Sequence, residues 1–167
     1  MLDPAAIPAG LRDSKKLTAL RRAELFEAIS DTASFGIGIV EVAEIDALNI
    51  LQATYLAMCR ATRALPIIPD YALVDGNRLP PDLPCPAQCL IKGDDRSVSI
   101  AAASIIAKVT RDRIMAGLAK AFPGYGWERN AGYGTLEHRE ALLSLGVTPH
   151  HRVSFKPIHN ILYQEKN

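Results

Sequence analysis

Leu73-Val74-Asp75-Gly76-Asn77 and Leu90-Ile91-Lys92-Gly93-Asp94 are two short apolar runs, each delivering an aspartate next to a glycine or to the start of a helix pattern. Runs of this length bounded by Gly and Pro read as buried strands. Both carboxylates should therefore sit at strand ends on one rim of a sheet, the place where open α/β sheets bind ligands. The interval of 19 residues fits a strand, a turn through Pro80, Pro81, Pro84 and Pro86, and a second strand returning the chain to the same edge. Two carboxylates converging there suggest a divalent-metal site, because such ions prefer hard oxygen ligands.

Downstream of this pair, the apolar residues from Ser97 to Leu118 predict a helix that is hydrophobic nearly all round and therefore buried. Its small residues Ala101 to Ser104 would let its backbone lie close to the sheet, and its N-terminal dipole would point toward Asp94 and any bound phosphate. Pro123-Gly124-Tyr125-Gly126 ends it, Thr135 caps another helix that stops at Gly146, and the tail His150 to Pro157 leads to a short final helix. Upstream, Ile45, Leu48, Leu51, Tyr55, Met58, Cys59 and Thr62 recur at helical steps until Pro66. Phe35 to Val42 reads as a strand whose Gly36 and Gly38 imply close packing on one side. A helix N-capped by Thr18, with Leu25, Ala28 and Ile29 inward, follows a loop that carries Asp13-Ser14-Lys15-Lys16.

At 167 residues, 49% hydrophobic and 22% charged, the chain is sized for one folded domain, residues 1–167, and lacks a disordered composition. A net charge of +1 does not advertise a nucleic-acid coat, although Arg12, Lys15, Lys16, Arg21 and Arg22 bunch locally, as do Lys108, Arg111 and Arg113. Cys59, Cys85 and Cys89 show no C-x-x-C pairing, which argues for a reducing compartment and against a zinc site. No apolar stretch reaches membrane-spanning length and no signal pattern opens the chain, so a cytoplasmic location is expected.

Five ordered segments then carry a resemblance: Asp13-Ser14-Lys15-Lys16-Leu17; Val74-Asp75-Gly76-Asn77; Lys92-Gly93-Asp94 followed by Ser99 to Val109; Gly132-Tyr133-Gly134-Thr135 with His138; and His151-Arg152 with Ser154-Phe155. In that order they resemble the bacterial type 2 ribonucleases H, ribonuclease HII, over essentially the whole chain. The resemblance implies an α/β fold, a ribonuclease H-like mixed sheet flanked by helices with a C-terminal helical segment. It also implies an endonuclease, acting as a monomer, that hydrolyses the RNA strand of RNA-DNA hybrids and cuts at ribonucleotides embedded in duplex DNA. Four carboxylates would hold Mg²⁺ or Mn²⁺ in a two-metal site. Carried over by position, Asp75 and Asp94 match two of those four. Ser14, Lys15 and Lys16 match the phosphate-contacting segment, Tyr133 the tyrosine that packs at the ribose, and His151 and Arg152 a tail near the substrate path.

The family pattern opens with a strand ending in Asp-Glu-Ala-Gly-Arg-Gly, followed by a second strand, and neither precedes Met1 here. In the family that first strand is the centre of the sheet and supplies two metal ligands and a glycine-arginine-glycine loop. The expectation is therefore an N-terminally truncated member with an incomplete sheet and weak or no activity. Unpaired buried backbone groups cost about 1–3 kcal/mol each, against a total stability of about 5–15 kcal/mol, so instability or aggregation is also expected.

Each residue has a plainer reading. Asp75 before Gly76 can be a turn former, Asp94 can serve only the helix N-terminus, a role Asp95 fills equally, and Tyr133 can be a packed turn aromatic. His138 reads as structural, and His150 and His151 as solvent-exposed or phosphate-contacting. Two other functions fit parts of the chain: a non-catalytic nucleic-acid-binding fragment using Lys15, Lys16 and Tyr133, and a phospho-acceptor protein using one strand-end aspartate.

Overall fold

The computed structural model describes residues 1–163. Its elements in chain order are α1 (Ala19–Thr32), α2 (Val42–Leu48), α3 (Ile50–Arg63), β1 (Ala72–Asp75), β2 (Ala87–Leu90), α4 (Val98–Ala121), α5 (Trp127–Asn130), α6 (Leu136–Leu145) and α7 (Lys156–Tyr163), with 3-10 turns at Ser14–Lys16 and Gly93–Asp95. The contacts group these residues into two compact units. One comprises Met1–Ile39 with Thr54–Val109; the other comprises Val40–Ala53 with the chain from Thr110 on.

In the first unit, β1 and β2 pair in parallel, with Ala72 opposite Ala87 and Asp75 opposite Leu90. Parallel pairing puts the C-terminal ends of both strands at one edge, as the aspartate spacing predicts. The strands are not buried on both faces as expected. Val74 is buried but Leu73 is exposed, so β1 alternates like a strand with one covered face.

The core of this unit joins Leu25 and Ile29 of α1 to Ala102, Ile105, Ile106 and Val109 of α4, with Leu11, Leu17 and Phe26 packed around them. Thr18 caps α1 as predicted, its side chain accepting from the Arg21 N–H. The all-round burial expected of α4 does not occur. Ile100, Ala101, Ile105, Ile106 and Val109 are buried at helical spacing, whereas Val98, Ala103 and Ala107 are exposed, so alanine there marks high helix propensity and not a buried face.

Phe35 to Glu41 is not part of a ladder, and Val42, expected to close a strand, instead opens α2. Its burial still alternates, with Ile37 and Ile39 outward and Gly36 and Gly38 inward. The close packing read from those glycines is borne out: a Cβ on Gly36 would lie 2.1 Å from the Ala61 carbonyl oxygen, and one on Gly38 1.9 Å from that of Ala57. Nearby, Leu2 and Ala33 form an isolated antiparallel bridge.

A single helix over Ile45 to Thr62 also needs correction. Asn49 adopts φ 73° and divides it into α2 and α3. With ψ at 163° this backbone lies in a region that glycine adopts far more readily than any other residue, and the Asn49 Oδ1 accepts from the N–H groups of Leu51 and Gln52, starting α3 afresh.

In the second unit, Tyr125, Trp127, Ala141, Leu142 and Ile158 form the core, lined by Met115, Leu118 and Phe122. Thr135 and Gly146 bound α6 as predicted. Asp46 of α2 accepts from the backbone N–H groups of Val153 and Ser154, both at 3.0 Å, and from the Ser154 hydroxyl at 2.5 Å. These bonds hold the Asp46 carboxyl below the usual carboxylate range, against a desolvation that raises it. No helix among the described residues is long and apolar enough to cross a membrane.

Candidate functional site

Asp75 closes β1, and its backbone continues into Gly76, whose N–H donates to the Leu90 carbonyl at 3.1 Å. After β2 the chain turns through Lys92, at φ 54°, and this turn delivers the Gly93 N–H to Asp75 Oδ1 at 2.8 Å. Asp94 is the next residue. That hydrogen bond sets the backbone immediately before Asp94 against the Asp75 carboxylate at the C-terminal end of β1. Gly93 is buried, and a Cβ there would lie 2.5 Å from Ile100 Cδ1, so a larger residue would have to displace the end of the Ile100 side chain.

Asp94 is half-buried and lines a cleft of about 170 Å³ at the N-terminus of α4, together with Leu11, Arg12, Asp95, Ser97 and Ala101. Asp75 is exposed. Both aspartates are hard oxygen donors suited to a divalent cation, Asp75 fixed by a backbone N–H and Asp94 in a cleft beside a helix N-terminus and the Arg12 guanidinium. They are a pair and not a cage. Among the described residues no group of three or more His, Cys, Asp or Glu side chains is placed to share an ion.

Asp95 differs from Asp94 in kind. Lys16 Nζ donates to both its oxygens, at 2.5 and 2.7 Å, and this ion pair raises the Lys16 pKa. Lys16, expected among the phosphate-contacting residues, therefore ties the Ser14–Lys16 turn to the Gly93–Asp95 turn. In the same segment Asp13 accepts from the Lys15 N–H, Ser14 is buried, and Arg22 donates to the Ser14 and Leu17 carbonyls. Lys15 is exposed. Arg12, at the cleft, is a candidate phosphate partner that the sequence reading noted only as part of a basic bunch.

Tyr133, the fourth motif, lies in the second unit at 61% exposure. The Arg111 guanidinium stands 5.1 Å from its ring centroid, and its backbone N–H donates to the Asn130 carbonyl. An exposed aromatic on a short glycine-flanked loop can stack on a sugar or base; the packed-turn alternative would have buried it.

His151 departs from expectation. It is buried beside Tyr125, Trp127 and His138, so solvent exposure is corrected and phosphate contact by its ring is removed. The fold supplies all its polar partners: its Nδ1 faces the Thr148 N–H at 3.0 Å and its Nε2 faces His138 at 3.1 Å. Arg152 is half-buried, its guanidinium 5.2 Å from the Phe155 ring centroid. Apart from Thr148, three residues away, the contacts that bury His151 come from Tyr125, Trp127 and His138, too distant in sequence to read locally.

Burial, and secondarily the neighbouring His138, pushes the His151 pKa down to about 4. The native state therefore excludes a proton that the unfolded chain binds below about pH 6.5. The stabilisation is full above that pH, is lost as pH falls toward about 4, and then levels off. Lowering pH from 8 to 5 should cost about 2 kcal/mol, measured by urea denaturation followed by circular dichroism. His151→Asn should flatten that pH dependence, and an equally steep slope in the variant would assign it elsewhere.

Comparison with known proteins bears on this arrangement. A family profile described as Ribonuclease HII matches residues 5–158. The chain is 63% identical over 165 residues to a Ribonuclease HII of Ruegeria pomeroyi, covering 99% of this chain and 70% of that protein. It is 60% identical to one of Ruegeria sp. strain TM1040, covering 99% and 72%. The crystal structure of the ribonuclease H2 from Pyrococcus horikoshii OT3 is similar with a TM-score of 0.78 at 26% identity, covering 91% of this chain and 80% of that one.

Proposed function

Because the chain belongs to the ribonuclease HII family, an endoribonuclease family, we propose that it hydrolyses the RNA strand of RNA-DNA hybrids and cuts duplex DNA at embedded ribonucleotides. The observation that supports this reading is the hydrogen bond from the Gly93 N–H to Asp75 at the common C-terminal edge of two parallel strands, with Asp94 the next residue in the chain. A solvent-exposed phospho-acceptor needs only one such aspartate and leaves Tyr133 and the Asp13 to Lys16 turn without a task.

Asp75 and Asp94 would hold Mg²⁺ or Mn²⁺. A cation bound there supplies charge neutralisation at the phosphate and lowers the pKa of a bound water. The Gly93 N–H keeps the Asp75 carboxylate from rotating away, so the chain does not have to reorganise this ligand as substrate arrives. Lys15 and Arg12 offer cationic contacts to the backbone phosphates, which set register without reading sequence. Tyr133 would pack on the ribose, where the 2′-hydroxyl distinguishes RNA from DNA.

The described residues bring one carboxylate pair to the site, while the family pattern uses four carboxylates. Residues 1–167 alone should therefore cleave a duplex carrying one ribonucleotide far more slowly than the same chain extended at its N-terminus by a strand bearing Asp-Glu-Ala-Gly-Arg-Gly. A difference of at least about 10²-fold is expected, read by gel assay at fixed Mn²⁺. Equal rates would show that the pair suffices. A non-catalytic binding fragment is the second reading, favoured only if both forms bind duplex with the same salt dependence and neither cleaves.

A further inference from the structure

A buried polar chain runs through the second unit to the backbone of Tyr133. The Thr148 backbone N–H, which can only donate, points at His151 Nδ1 at 3.0 Å, so that nitrogen is an acceptor and the neutral ring carries its proton on Nε2. His151 Nε2 faces His138 Nε2 at 3.1 Å. The indole N–H of Trp127 donates to the same His138 nitrogen at 3.2 Å. With two donors aimed at it, His138 Nε2 is unprotonated and the His138 proton resides on Nδ1. That Nδ1 lies 3.0 Å from the Tyr133 carbonyl oxygen.

The loop receiving this bond departs from ordinary backbone. Ala131 and Gly132 both have positive φ, 46° and 78°, so regular secondary structure does not hold it. Asn130, buried like His138, accepts from the Gly132 N–H at 2.8 Å and donates to the Tyr125 carbonyl at 2.8 Å. Two buried polar side chains thus grip the loop from below while the Tyr133 ring stands outward.

We propose that His138 is a positioning residue for Tyr133, its Nδ1–H fixing the Tyr133 carbonyl so that the Gly132-Tyr133-Gly134 loop holds one conformation before substrate binds. Trp127, His151 and Thr148 enforce the tautomer that makes this bond possible. The consequence for substrate choice rests on Tyr133 being the residue that meets the ribose; the tether itself does not.

Amide hydrogen exchange on residues 1–167 tests the tether without substrate. His138→Ala should speed exchange of the Gly132, Tyr133 and Thr135 amides by about tenfold relative to Leu142 in α6, and His138→Asn, which keeps a donor near the Nδ1 position, should restore most of that protection. If Leu142 accelerates as much as the loop, or if asparagine restores nothing, His138 is a packing residue and the proposal falls. Should the alanine variant fail to fold, imidazole ¹⁵N shifts of the unmutated chain decide: the proton must be on Nδ1 of His138 and on Nε2 of His151, and the reverse assignment overturns the tether. Binding of a duplex with one ribonucleotide against an all-DNA duplex then separates the two layers. Tyr133→Ala and His138→Ala should lose the same fold of preference, and the double variant no more. If Tyr133→Ala leaves the preference intact while exchange responds as expected, the sugar contact is wrong and the tether stands.

Discussion

Asp94→Asn is expected to lower divalent-dependent cleavage of a ribonucleotide-containing duplex by about 10³-fold, roughly 4 kcal/mol in the barrier, measured in the N-terminally extended chain. The amide keeps the shape of the side chain but removes the charge that makes it a ligand for a hard cation. Salt-dependent binding of the duplex should change little, since it is carried by cationic groups such as Lys15 and Arg12. Asp95→Asn is the informative control. Both Asp95 oxygens are taken by Lys16, so its loss should leave cleavage within about threefold of the parent, in keeping with the small effect of exposed ion pairs. Equal losses at positions 94 and 95 would mean that the turn as a whole matters and that Asp94 has no special place at the metal.

Gly38→Ala is expected to destabilise the first unit by roughly 3 kcal/mol or more, read as a lower urea midpoint. The added Cβ would stand 1.9 Å from the Ala57 carbonyl oxygen and 2.7 Å from the Ala61 nitrogen. Both are backbone atoms of α3, which cannot step aside by rotating a side chain. Gly117→Ala supplies the opposite sign. It lies in the exposed interior of α4 with nothing within 4 Å of the new atom, and should stabilise by roughly 0.5–1 kcal/mol. If the two substitutions behave alike, the segment from Phe35 to Ile39 yields more easily than its packing indicates.

The two parallel strands that end at Asp75 and just before Asp94 were legible because every signal they need is local: a short apolar run, a glycine, a proline-rich return. Thr18 and Thr135 were legible for the same reason, a side-chain cap being written within three residues of the helix it starts. Asn49 was not, since the apolar period runs through it unbroken and only its backbone conformation divides α2 from α3. The outward faces of Ala103 and Ala107 escaped because alanine reports helix propensity and burial with the same letter. Phe35 to Val40 has a strand's alternation without its ladder, and periodicity sees only the alternation. The burial of His151 was not legible because Trp127 and His138, which cover it, converge on it only in three dimensions. Asp46, which grips Val153 and Ser154 from more than a hundred residues away, left no mark in the sequence at all.

The lone tryptophan, Trp127, is buried against Tyr125 in the second unit, and Cys59 is a buried thiol on α3 in the first. Each unit therefore carries its own reporter: indole emission follows the melting of one, and, once the half-buried Cys85 and Cys89 are replaced by alanine, reaction of Cys59 with a thiol reagent times the opening of the other. Run side by side, they reveal whether the polypeptide comes apart in one step or two.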